Sequence, residues 1–197
     1  MIRPRPLSRS ASERGIARVT ACIAACLLYA STAATQNVTE PSLKAAFIFN
    51  FAKFTAWPTD TLPPTGSFTA CVLGDNSVFQ ALERTVRDRR VSGHGVIVVQ
   101  NPLEGPLRTC HVLYVSGVAP NRIATILTAV RGLAVLTISD MDDFAIQGGV
   151  AQMFVENGRM RFDLNFDVAR RSRLQLSARL LVLGAHVLKA PDAEELP

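Results

Sequence analysis

The chain is poor in the side chains that carry chemistry. Only three of its 197 residues are histidine, His94, His111 and His186, and their spacings fit neither one turn of a helix nor a metal-binding loop. No glycine-rich phosphate loop leads into a lysine, and no G-x-S-x-G elbow presents a serine. Internal repeats are absent, which excludes solenoid and propeller architectures. No nucleophile, base and oxyanion donor can be assembled from what remains. The sequence therefore reads as non-catalytic, with no cofactor and no metal.

Long apolar runs are missing too. The longest candidate, 19–30, falls short of the roughly 20 residues that a membrane-spanning helix needs. It follows Arg3, Arg5, Arg9, Arg14 and Arg18 and leads into Ser31-Thr32-Ala33-Ala34. Basic start, short apolar stretch and small-residue exit describe a secretory signal peptide over 1–34, cut after Ala34 or Ala33. Ile23-Ala24-Ala25-Cys26 offers a competing lipoprotein cut, which would leave a very short apolar stretch before it.

Losing this leader changes the charge. The formal +5 comes from 21 basic and 16 acidic side chains, and 1–34 holds five of the former and one (Glu13) of the latter. The remainder carries 16 against 15, so the mature chain has no basic excess to argue for nucleic acid. A local cluster persists at Arg84, Arg87, Arg89 and Arg90, where cations at a helix end complement the helix dipole. Cysteine follows the same pattern. Cys22 and Cys26 leave with the leader, and Cys71 and Cys110 remain. In an oxidising compartment the two are expected to pair, the alternative being two buried free thiols.

Strands and helices alternate along the rest. The expected strands are 68–74, 96–100, 110–116 and 133–139, of which 96–100 and 133–139 read as apolar throughout, as in a covered parallel sheet. Expected helices are 40–56, 77–88 and 120–131. Two strands, 150–156 and 159–166, flank Asn157-Gly158, a strong hairpin signal, and a last amphipathic helix is expected over 177–188. The fold class is thus α/β, a three-layer sandwich whose mostly parallel sheet ends in an antiparallel hairpin edge. One domain over 35–190 and a flexible tail over 191–197 complete the organisation. With the first strand beside the third, Cys71 and Cys110 fall on neighbouring strands.

Two groups of residues are candidates for function. Asp75 and Asn76 follow one strand, and Asp140, with Asp142 and Asp143, follows another, at the strand ends where α/β sheets place ligands. These form a candidate ligand loop; helix capping is the plainer role for Asp75 and Asp140. The second group lies in KAAFIFNFAKFTAWP, 44–58, which has four Phe in fifteen residues. Phe51 and Phe54 lie within about 40° of Phe47 on a helical wheel, whereas Phe49 is about 200° away, beside Lys53. Phe47, Phe51 and Phe54 are thereby assigned to the core. Phe49, Lys53 and Trp57 are assigned to a partner or dimer surface, unless the domain's own C-terminal helix covers that face.

KAAFIFNFAKFTAWP, CVLGDN, VLTISD and GGVAQMFVENGRMRFDLNFDVARRSRLQLSARLLVLGAHV together resemble the YfiR family of periplasmic proteins. The most specific parts are the aromatic helix ending in Trp57-Pro58 and Arg161-Phe162 with Asn165 before the Leu-rich end. The resemblance implies an α/β sandwich without catalysis. It implies a repressor that docks on the sensor region of an inner-membrane diguanylate cyclase and restrains cyclic-di-GMP synthesis and biofilm formation. In that family an outer-membrane lipoprotein and redox state regulate the restraint. Cys71 and Cys110 fall where the repressors carry one disulfide, but the second pair, in the region 140–155, is missing. A homodimer is also expected. The competing reading is a periplasmic binder of a small ligand, a nucleotide or an amino acid, at the strand ends.

Overall fold

The computed structural model describes residues 39–100 and 107–188. The expected signal peptide, its cut site, the lipoprotein alternative and the tail over 191–197 lie outside the described residues. The centre of the molecule is set by three strands: β2 (Phe68–Leu73), β5 (Val112–Val115) and β6 (Leu136–Ser139). Nearly every residue in them is buried, Thr137 and Ser139 included, as in strands covered on both faces. They pair in parallel, with Cys71 opposite Leu113 and Leu113 opposite Thr137.

The whole sheet has eight strands in the order β10-β8-β7-β6-β5-β2-β4-β3. Here β3 is Arg90–Val91, β4 His94–Gln100, β7 Ala151–Glu156, β8 Arg159–Asn165 and β10 His186–Leu188. Only β7–β8 and β3–β4 are antiparallel, so the sheet is mostly parallel, as expected. Asn157 and Gly158 take φ of 49° and 72°, the left-handed pair that a two-residue hairpin demands.

One face of the sheet is covered by α1 (Glu40–Lys53) and α2 (Asn76–Val86) around a large apolar core. The other face carries α3 (Pro120–Ala129), whose Ile123, Ile126 and Leu127 pack with Leu113, Val115 and Phe144. This gives the three layers of the sandwich. Gly149 makes one close approach within it, since a Cβ there would stand 2.1 Å from the Phe144 ring.

Three expectations are corrected. The first helix ends at Lys53, not at 56, because Thr55–Ala56 form β1 and pair with β9 (Gln175–Leu176) in a separate two-stranded sheet. β4 is not covered on both faces: α2 packs on the side of Val96 and Val98, but among the described residues no helix covers the side of Ile97 and Val99, which are 51% and 39% exposed. The C-terminal region is not one helix over 177–188. It contains α4 (Phe166–Arg171), β9, the short α5 (Ala178–Leu183) and then β10, which adds to β8 in parallel. The hairpin therefore stands one short strand in from the sheet edge.

Candidate functional site

The aromatic helix is held on both sides. Phe51 meets Phe162 of β8 edge-to-face at 4.9 Å between ring centres, and Phe47 meets the same ring at 6.1 Å. Phe51 is fully buried, while Phe47 and Phe54 are partly buried against the core. Phe49 points the other way, as the wheel requires, but it is not a surface residue. It is 7% exposed, with the Arg89 guanidinium 5.2 Å above its ring. The expectation of an exposed Phe49 is thus overturned. The covering element is α2 with the segment after it, since α1 and α2 pack side by side. The C-terminal segment covers Phe54 instead, with Arg179 5.8 Å above that ring and the Ser177 N–H donating to the Phe54 carbonyl.

The other two residues of the expected surface differ from each other. Lys53 is exposed. Trp57 is half-buried, and its indole N–H donates to the Ala134 carbonyl at 3.0 Å while its ring meets Phe68 at 4.9 Å. His111 stacks on Phe68 at 5.1 Å and meets the Trp57 ring edge-on at 6.5 Å. The Thr69 N–H donates to His111 Nδ1 at 2.9 Å, so Nε2 bears the proton and donates to the Thr61 carbonyl at 3.3 Å. Burial pushes this imidazole below its ordinary pKa, and it is neutral and structural.

Asp75, Asn76 and Asp140 do converge at the carboxyl ends of the parallel strands, yet the carboxylates of Asp75 and Asp140 are committed to the protein's own groups. The Asp75 carboxylate caps α2, accepting the N–H groups of Ser77 at 2.8 Å and Val78 at 3.2 Å. Those are the donors that a bound phosphate would have used. Asn76 is the exposed first residue of α2. Asp140 caps no helix. It forms a 2.5 Å ion pair with Lys44 of α1, which also reaches Glu40 at 2.6 Å. Burial alone would raise the Asp140 pKa, but the Lys44 ammonium and the Ser116 hydroxyl nearby outweigh it and hold it low.

The backbone closes the crevice between the ends of β2 and β5. Gly74 has φ of 98°, and a Cβ on it would stand 1.8 Å from the Ser116 carbonyl oxygen. Beneath lie the buried Tyr114 hydroxyl and Asp140 Oδ1, neither of which closes a hydrogen bond although Ser116 lies beside both. Burial drives the Tyr114 pKa upward, so its phenol stays neutral. The candidate ligand loop is therefore filled by the protein's own groups, with Lys44 tying α1 to the sheet.

Three features went unrecognised at the level of sequence. Lys44 is one, since only the fold brings it to Asp140. The capping role of Asn165 is another: its side-chain amide donates to the Ala145 carbonyl at 2.8 Å, and its oxygen accepts the Val168 N–H at 3.0 Å to cap α4. An Asn just before a helical turn is a capping signal that could have found α4. The third is a pair of concavities. One, of about 800 Å³, lies between the end of α2 and the β3–β4 hairpin; the other, of about 570 Å³, lies between the end of α3 and α4. Cys71 and Cys110 are joined in a disulfide, with 5.7 Å between their Cα atoms, as neighbouring β2 and β5 allow. Among the described residues no group of three or more metal-ligating side chains gathers, and no helix is long and apolar enough to cross a membrane.

A crystal structure of a conserved domain protein from Vibrio cholerae O1 biovar El Tor str. N16961 is similar, with a TM-score of 0.51 at 9% sequence identity. The match covers 76% of this chain and 60% of that one, so the present chain spans less than two thirds of that one, and the likeness speaks for the fold alone. No match is found among curated proteins. The model of one family, described as YfiR/HmsC-like, matches residues 41–185. That span contains the aromatic helix, the disulfide and the Phe162–Asn165 strand that packs on the helix, and the chain belongs to the YfiR/HmsC-like family.

Proposed function

We propose that this protein is a non-catalytic periplasmic regulator that docks on the sensor region of an inner-membrane signalling protein and restrains a diguanylate cyclase. The observation that carries the reading is the family match over 41–185, which supports a periplasmic regulatory role in cyclic-di-GMP signalling. A disulfide between two buried cysteines fits an oxidising compartment. Docking is assigned to the end of α1, where Lys53 is exposed and Trp57 keeps part of its surface free. Phe49 is withdrawn from that surface. A homodimer through the same end, and control by an outer-membrane lipoprotein, belong to the same proposal. Affinity capture from solubilised inner membranes tests it: a captured protein bearing a periplasmic sensor and a cyclase domain is expected. A clean preparation that retains no membrane protein would overturn it.

One observation favours a second reading, a binder of a small ligand. The 570 Å³ cavity is lined by Leu127, Val130, Val135 and Val168, with Arg131 and Arg171 at hand. An apolar hollow of a few hundred Å³ with a few polar groups is the usual form of a small-molecule site. A thermal shift with amino acids or nucleotides, lost in Val168→Trp, would support this reading over docking.

A further inference from the structure

The four arginines of the 84–90 region do not form a simple solvated helix end. Arg84 lies in the last turn of α2, and Arg87 follows the helix directly. Asp88 then takes φ of 60° and turns the chain, so that Arg89 and Arg90 run back along the wall of a concavity of about 800 Å³. Opposite them stand Val96 and Val98 of β4, an apolar floor to a basic rim. The β3–β4 turn, with Ser92 and Gly93 both at positive φ, sets the position of that floor.

Two of the guanidinium groups are fixed in place. Arg89 sits on the Phe49 ring, and Arg90 donates to the Gly93 carbonyl at 2.8 Å. The other two are uncommitted, since neither Arg84 nor Arg87 forms an ion pair among the described residues. Glu83 and Asp88 line the same concavity, but four arginines outnumber them two to one. A protein that needed only helix-dipole compensation at this end would be served by Arg84 alone.

We infer that this concavity binds a phosphate-bearing ligand. Guanidinium forks match phosphate oxygens two at a time, and several forks around one hollow suit a doubly charged anion better than a lone carboxylate. Val96 and Val98 would take the apolar part of the same molecule. The phosphate is that of a soluble ligand or of a lipid headgroup, and the chemistry of recognition is the same for both.

The test uses the purified protein at low salt, where exposed arginines are least screened. Inorganic pyrophosphate is titrated calorimetrically, and co-sedimentation is measured with vesicles of phosphatidylglycerol and phosphatidylethanolamine, against phosphatidylcholine alone. Binding is expected to at least one probe and to weaken about tenfold or more in R84Q/R87Q, the loss expected when charge-assisted hydrogen bonds are removed. Pyrophosphate binding without vesicle binding identifies a soluble ligand; binding to the anionic vesicles identifies a headgroup. R84K/R87K, which keeps the charge and loses the forks, should also bind more weakly. Both variants alter exposed side chains, and an unchanged melting temperature verifies that they fold. No binding to either probe, or equal binding by wild type and R84Q/R87Q, overturns the inference.

Discussion

Loss of the Cys71–Cys110 disulfide should be the most costly single covalent change to this domain. The bridge joins residues 39 apart in sequence, one on β2 and one just ahead of β5. Without it the unfolded chain regains the freedom of that loop, and the chain-entropy relation gives roughly 4 kcal/mol at 25 °C. The folded state has little to lose, because β2 and β5 are already hydrogen-bonded neighbours and both cysteines are buried in one apolar cluster. A domain of this size loses about 2–4 °C of melting temperature per kcal/mol, so C71A/C110A should melt about 8–16 °C lower. The assay is thermal unfolding by circular dichroism of wild type, of the double variant, and of wild type reduced while unfolded and then refolded with reductant present. The last sample separates the cross-link from the two lost sulfur contacts. If neither the reduced protein nor the variant melts measurably lower, the reasoning from loop entropy is wrong for this chain.

Other expectations follow from single contacts. Phe49→Ala and Phe51→Ala should both destabilise the isolated protein, by up to about 3–5 kcal/mol in melts, whereas Lys53→Ala should stay within about 0.5 kcal/mol. A Phe49→Ala protein that melts like wild type would return Phe49 to the surface. Gly74→Ala should cost about 3 kcal/mol or more, or prevent folding, since it adds both a backbone clash and an unfavourable φ; a normal denaturant midpoint would refute the closed crevice. His111 has a lowered pKa when folded, so the unfolded chain takes up its proton first as pH falls. Stability should therefore decline as pH drops below about 6.5, and His111→Gln should flatten that part of the pH profile of the melting temperature.

Much of the fold was legible because its signals are local. The runs at 68–73 and 112–115 are apolar at nearly every residue, as strands between two layers are, and 136–139 carries Leu136 and Ile138 on one face. Asn157-Gly158 fixes its hairpin by backbone conformation alone. What was not legible depends on distant partners. Thr55 and Ala56 continue a helical pattern, but Gln175 and Leu176, some 120 residues away, take them into a strand pair. Val96 to Val99 look buried on both faces, and only the reach of α3 leaves Ile97 and Val99 bare. The Leu-rich end reads as one helix until Gly184 stops it and Val187 and Leu188 join β8.

The candidate site divides in the same way. A helical wheel gives the direction of Phe49 correctly but cannot say that α2 lies in that direction. Asp75 could be read as a cap from its place before a helix, and it is one. Asp140 could not be read as the partner of Lys44, because 96 residues separate them. The Phe162–Asn165 segment, one of the two most specific parts of the resemblance, anchors α1 through Phe162 and caps α4 through Asn165. Its role in this chain is to hold the aromatic helix in place, which is the end of the molecule assigned to docking.

The central claim is restraint of cyclic-di-GMP synthesis from the periplasm, and the direct measurement is the cellular cyclic-di-GMP level. It is to be compared in the native host with the chain intact, with it deleted, and with the deletion complemented by the full chain or by one starting at Thr35, which lacks the proposed leader. The account predicts a rise on deletion, reversed by the full chain and not by the leaderless one. An unchanged level on deletion, or equal rescue by the leaderless chain, would contradict it.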